Sequence, residues 1–221
     1  MSPIILILSA VLASSQSPHR EICSVQPDTI RISHELFRDL TGDGVSEHLI
    51  VEAIGPTWKE ITVQLFITSA SDSLLYFDEW YTRDYFYAPL TYDPNTPEGS
   101  ERLVTTRLAG VLDDNSFRTG IYRSGRTEGR SRSMRYALRD DLVEHFWRQE
   151  NGKTVRDRIF QKTGFSRFKD EYQGLVTDER VEALAAELEF SPTFWYSNGH
   201  DSLIVIAWSK TEQRFVTVLS S

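Results

Sequence analysis

"TFWYSNGHDSLIVIAWSKTEQRFVTVLSS", residues 193–221, holds three apolar runs parted by Asn198-Gly199 and by Ser209 to Gln213. Runs rich in β-branched and aromatic residues with turn formers between them predict a β-meander. Upstream, "DERVEALAAELEF" (178–190) changes the period: Val181, Leu184, Ala185 and Leu188 fall on one helical face. Thr177 opens this segment as a capping residue, with Asp178 and Glu179 at the positive end of the helix dipole. A second helix is predicted near 134–149 from Leu138, Leu142, Val143, Phe146 and Trp147, ended by Gly152. A third follows the loop "YDPNTPEGS" (92–100), with Ser100 as its cap and Leu103, Val104, Leu108, Val111 and Leu112 on one face.

The amino half reads as strand. "TIRIS" (29–33), "EHLIVEA" (47–53) and "EITVQLFITS" (60–69) carry β-branched residues, and "SLLYFDEWYTRDYFYAPLTY" (73–92) supplies one or two aromatic strands. Gly55-Pro56 and Ser69 to Ser73 are turns short enough for antiparallel neighbours. Strands, then helices, then strands predict an α+β fold: a mostly antiparallel sheet, about three helices and a C-terminal meander.

A chain of 221 residues, 40% apolar and 25% charged, has the composition of one globular core. A net charge of −8 argues against nucleic acid as partner, because a phosphate backbone is neutralised by excess Lys and Arg. The start, "MSPIILILSAVLASSQS", is uncharged, with an apolar run from Ile4 to Ala13 followed by small residues. That run is shorter than the roughly 20 residues that span a bilayer. It predicts a signal peptide over residues 1–16, a single α+β domain over 17–221, no transmembrane helix in the mature chain, and a periplasmic or secreted location. Cys23 is the sole cysteine, so no intramolecular disulfide forms. Arg20-Glu21-Ile22 before it is not a lipid-attachment signal, and a free thiol is expected.

"RDLTGDGVSEHLIV" (38–51) sets side-chain oxygens of Asp39, Thr41, Asp43 and Glu47 at positions 1, 3, 5 and 9 of a loop. Gly44 stands at position 6, where such loops turn, and the Val45 carbonyl at position 7. The stretch resembles the short calcium-binding loops of FG-GAP and integrin-type repeats and of EF-hand-like proteins. The resemblance implies a structural calcium held by Asp39, Thr41, Asp43, Val45 and Glu47. Position 3 is Thr41 rather than Asp or Asn, and position 12 is Ile50 rather than the bidentate Glu of a full EF-hand. The same Asp and Gly residues also favour an Asx-type turn with Gly44 at positive φ and no ion.

Residues 118–139 carry Arg118, Arg123, Arg126, Arg130, Arg132, Arg135 and Arg139 against Glu128 alone, a net +6. A loop of this composition meets anions by charge-assisted hydrogen bonds, so Arg123, Arg126, Arg130 and Arg132 are candidate contacts for an anionic envelope component or glycan. Pairing with the protein's own acids is the plainer account of such a run. The aromatics Tyr76, Phe77, Trp80, Tyr81, Tyr85, Phe86, Tyr87 and Tyr92 serve either a core or a ligand platform.

No residue is assigned a catalytic role. His19, His34, His48, His145 and His200 show no metal-ligand spacing, and His200-Asp201-Ser202 are too close in sequence to converge as a triad. "KTG" (162–164), "SRFK" (166–169) and "YSN" (196–198) occur in the wrong order for a serine β-lactamase. The expected function is a non-enzymatic extracytoplasmic binding or envelope-associated module with a structural calcium-type loop. A periplasmic or secreted hydrolase without a recognisable motif is the alternative.

Overall fold

The computed structural model describes residues 20–26, 29–58, 60–81, 93, 96–120, 127–150, 174–198 and 203–220. The predicted signal peptide, the "KTG" and "SRFK" patterns, His19, His200, and the aromatics Tyr85, Phe86, Tyr87 and Tyr92 lie outside the described residues. The elements run β1 (Arg20–Gln26), β2 (Thr29–Arg38), β3 (Glu47–Gly55), β4 (Thr62–Thr68), β5 (Leu74–Tyr81), α1 (Pro97–Val111), β6 (Phe117–Thr119), α2 (Thr127–Glu150), α3 (Asp178–Leu188), β7 (Pro192–Ser197), β8 (Leu203–Ser209) and β9 (Arg214–Ser220). The fold is α+β. β1 to β5 form one antiparallel sheet in sequence order, and β6 to β9 form a second.

Burial follows the side-chain period. In β3 and β4 buried and half-buried residues alternate, because only one face of the first sheet meets the core. In β8 the residues Ile204 to Ala207 are all buried, as expected of a strand covered on both faces. One core joins Leu49, Val51, Leu65 and Ile67 of the first sheet to Val104 and Leu108 of α1 and to Phe194 and Ile206 of the second sheet. The other face of the second sheet, through Val205, Ala207, Val216 and Val218, packs on Leu138, Leu142 and Val143 of α2 and Val181, Leu184 and Leu188 of α3. Each such Val, Leu, Ile or Phe side chain contributes about 1.5–3 kcal/mol on full burial.

The sheets also share a polar contact. Tyr196 on β7 donates its hydroxyl proton to the buried Asp78 on β5 at 2.6 Å and lies 2.8 Å from the Tyr76 hydroxyl. Trp80 stacks on the Tyr196 ring, with centroids 5.8 Å apart. Tyr76, Phe77 and Trp80 are therefore core residues, while Tyr81 is exposed.

The helix ends show where local reading succeeds and where it needs correction. Thr177 caps α3 as expected, its side chain accepting from Arg180 N. The cap of α1 is Thr96, not Ser100: its hydroxyl accepts from Gly99 N at 3.1 Å, and Pro97 occupies the first turn, where its missing N–H costs nothing. Ser100 is a buried helical residue. α2 begins at Thr127, so the second half of the arginine-rich segment is helix rather than loop. β1 and β6 had no counterpart in the sequence reading, β6 being only three residues long. Among the described residues no helix is long and apolar enough to cross a membrane.

Candidate functional site

The carboxyl half of α2 reads "DDLVEHFWRQ" from 140 to 149. Leu142 and Val143 tie it to the second sheet, which fixes the rotation of the helix. Asp141, His145 and Gln149, at i, i+4 and i+8, therefore form a neighbouring stripe. Each meets a residue brought by chain folding or by the helix itself. Asp141 accepts the Thr217 N–H at 2.9 Å and pairs with Arg214 at 2.6 Å, pinning the start of β9 to the helix. The Gln149 amide lies 3.0 Å from His145 Nε2, where its N–H donates to a neutral imidazole. Arg148 pairs with Glu144 one turn back.

α3 supplies the facing wall. Arg180 grips Glu212 with both carboxylate oxygens engaged, at 2.8 and 2.9 Å from Nη2, and its guanidinium carbon stands 4.9 Å from the Phe146 ring centre. Glu187 holds the turn between β8 and β9, accepting Lys210 N at 2.6 Å, Ser209 Oγ at 3.1 Å and Thr211 N at 3.3 Å. Gln213, the last residue of that turn, adopts φ 53°, a left-handed conformation uncommon for a residue with a Cβ. Between these groups lies a cleft of about 580 Å³, lined among others by His145, Phe146, Gln149, Arg180, Leu184 and Thr211. A second cavity of about 280 Å³ lies between β5, α2 and the start of β9, lined among others by Leu75, Phe77, Asp141, Arg148, Arg214 and Phe215. His145 lines both.

The electrostatics are nearly self-compensating. Burial first, and then the Arg214 guanidinium, hold the His145 imidazole below its ordinary value of 6.5, against the opposite pull of Asp141 and Glu212. For Glu187, burial pushes the carboxyl up, but hydrogen bonds from Thr211, Lys210 and Ser209 outweigh it, so the net shift is downward from 4.5. At neutral pH the site presents a neutral imidazole, an amide and charges that already have partners.

The residues singled out by pattern lie elsewhere. Asp39 accepts Gly42 N at 2.7 Å and Gly44 N at 2.9 Å, Asp43 accepts Val45 N at 2.8 Å, and both glycines have positive φ. Glu47 is buried and accepts Leu40 N at 2.6 Å and both Thr41 N–H and hydroxyl. These bonds build the Asx-type turn. Among the described residues no group of three or more His, Cys, Asp or Glu is placed to hold a metal ion. Of the candidate anion contacts, Arg123 and Arg126 lie outside the described residues, and Arg130 and Arg132 are on α2 with no side-chain placement described. Their neighbours Arg135 and Arg139 pair with Glu182 and Asp178 of α3, and Arg118 stacks 4.2 Å from the Trp195 ring centre.

Sequence reading passed over the cleft. A signal was present: Asp141, His145 and Gln149 recur every fourth residue on a predicted helix. The partners Arg180, Thr211, Glu212 and Arg214 are distant in sequence and carry no motif of their own. No protein-family model matches the chain, and no curated protein or solved structure matches it either.

Proposed function

We propose that this chain is an extracytoplasmic binding module whose small-molecule ligand seats in the His145 cleft. The observation that carries the reading is the convergence of His145, Gln149 and Arg180 on an opening of about 580 Å³ walled by Phe146, Ala183 and Leu184. Small-molecule sites typically offer about 300–1,000 Å³, apolar walls and a few oriented polar groups. Because Arg180 and Glu187 are already held by partners, the cleft selects by shape and by hydrogen bonds to His145 and Gln149 rather than by gross charge. The arginine-rich segment is a weaker choice of surface, since Arg135 and Arg139 are taken up by the protein's own acids.

The test is a fragment screen by thermal shift on the mature chain and on Ala183→Trp, a substitution at an exposed helical position of the cleft wall. The reading expects stabilising hits that the tryptophan abolishes without changing the unliganded melting temperature. A screen with no hit that Ala183→Trp abolishes overturns it.

Export is supported by the uncharged apolar run Ile4 to Ala13 and the small residues behind it. Fractionation with amino-terminal sequencing checks it. A mature end between Ser14 and Pro18 is expected, and recovery from the cytosol with Met1 or Ser2 at the end contradicts it. A structural calcium at Asp39, Thr41, Asp43, Val45 and Glu47 is proposed on the loop spacing alone.

A further inference from the structure

We propose that the 280 Å³ cavity on the far side of His145 takes a monocarboxylate with an apolar body, docked on the Nε–Nη2 edge of Arg214. The proposal goes beyond the binding reading above, naming a second site across His145 from the cleft and its ligand class. Its first support is the unusual state of Arg214. The Nη1 group donates to Phe215 O at 3.2 Å. Nη2 lies 2.6 Å from Asp141 Oδ2 but off the hydrogen-bonding direction, and Nε has no hydrogen-bond partner among the described residues. One edge of the guanidinium is thus charge-compensated yet buried without a hydrogen bond, which is costly for a charged donor. That edge presents two parallel N–H groups, the geometry a carboxylate satisfies in a bidentate way. Both atoms of that edge are buried, so docking requires the guanidinium to turn from Asp141 Oδ2 toward the cavity that Arg214 lines.

Charge and shape set the class. On the cavity wall Arg148 and Arg214 balance Asp141 and Glu144. A monoanion leaves a single negative charge in excess, whereas a phosphate dianion would face two carboxylates with twice that excess. The opposite wall, formed by Leu75, Tyr76, Phe77 and Phe215, is apolar and aromatic, and a volume of about 150 Å³ already accepts a benzene-sized ring. His145 adjusts the balance. In the free protein Arg214 and Arg180 disfavour its proton while Asp141 and Glu212 favour it, with Glu144, Arg148 and Glu187 the other charged groups on the two linings. An added carboxylate tips that balance toward the imidazolium, so binding takes up a proton on His145.

The experiment titrates the mature chain with benzoate, benzamide and inorganic phosphate by NMR, following the imidazole signals, from pH 5.5 to about 7.5. Benzoate is expected to bind at least tenfold more weakly at the upper end of that range, since one linked proton changes affinity by up to about tenfold per pH unit. Benzamide, of the same shape without the charge, is expected to bind at least tenfold more weakly than benzoate throughout, and phosphate at the upper end of the range, where it is largely the dianion. Removing both members of the buried pair, Asp141→Asn with Arg214→Gln, avoids stranding a lone charge and is expected to abolish benzoate binding. Arg214→Lys, which keeps the charge and loses the fork, is expected to weaken it at least tenfold, and in His145→Gln the affinity that remains is expected to be independent of pH across the range. Equal binding of benzamide and benzoate, tighter binding of phosphate, benzoate binding that survives both Arg214 changes, or no benzoate binding at all would each overturn the proposal. Fragments that still bind on the Ala183 side in that last case would leave the parent reading standing.

Discussion

The acidic loop at 39–47 and the cleft around His145 are both built from carboxylates, backbone amides and their hydrogen bonds, yet they are organised in opposite ways. In the loop the polar groups are near neighbours in sequence and satisfy one another: Asp39 closes on Gly42 and Gly44, Asp43 on Val45, and Glu47 on Leu40 and Thr41. In the cleft the bonds run between elements, Asp141 to Thr217, Glu187 to Lys210 and Arg180 to Glu212. A pattern that is compact in sequence tends to report a compact local structure, here a turn. Groups left facing an opening come from residues that the fold, not the sequence, makes neighbours.

The largest expected effect separates the two regions by stability. Glu47→Ala removes the acceptor for two backbone N–H groups beside a buried Leu40, and each donor left unsatisfied costs about 1–3 kcal/mol. Urea unfolding should show a loss of about 3 kcal/mol, whereas Gln149→Ala in the cleft should stay within about 0.5 kcal/mol. A cost below about 1 kcal/mol for Glu47→Ala, or a comparable cost for Gln149→Ala, would break the contrast. Asp39→Ala, whose acceptors serve exposed N–H groups, should cost about 1 kcal/mol, in the range of lost helix caps.

Protonation sharpens the comparison from the cleft side. Glu187 has a folded-state value below 4.5, so as pH falls the unfolded chain takes up the proton first. The stability it contributes is present above 4.5 and is lost as pH falls through the lowered folded value. His145 is also lowered, from 6.5, so the unfolded chain again protonates first, and stability declines as pH drops from 6.5 to the folded value. Unfolding free energies across pH should show both declines, with Glu187→Gln removing the lower and His145→Gln the upper. A profile unchanged by either substitution would contradict the hydrogen bonds that hold the turn and the half-buried neutral imidazole.

Much of the fold was legible in the sequence, because its signals are local. Thr177 followed by two acids announced α3, and the apolar run from Leu203 to Trp208 announced a strand of the C-terminal meander, which is β8. The α1 cap was misplaced because Thr96 and Ser100 are both good capping residues. What decides between them is Pro97, which belongs in a first turn rather than before one. The cleft was not legible, since its walls depend on how α2 and α3 are rotated against the second sheet, which Leu142, Val143 and Leu184 settle only by packing.

The smallest expected effect concerns calcium. Asp39 would have to exchange two N–H partners for the ion, which favours a weak site of about 10⁻³ M. At millimolar calcium that is worth a few tenths of a kcal/mol, or a rise of about 1 °C in melting temperature, abolished in Asp43→Ala. Identical melting with calcium and with chelator would leave the turn alone.

The contrast between a self-satisfied loop and an outward-facing cleft is tested most directly by amide chemical-shift mapping of the mature chain with a fragment that stabilises it. Perturbations are predicted at Gln149, Arg180 and Thr211 and absent at Gly42, Gly44 and Val45. Shifts concentrated on the 39–47 loop, with the cleft amides unmoved, would contradict the account.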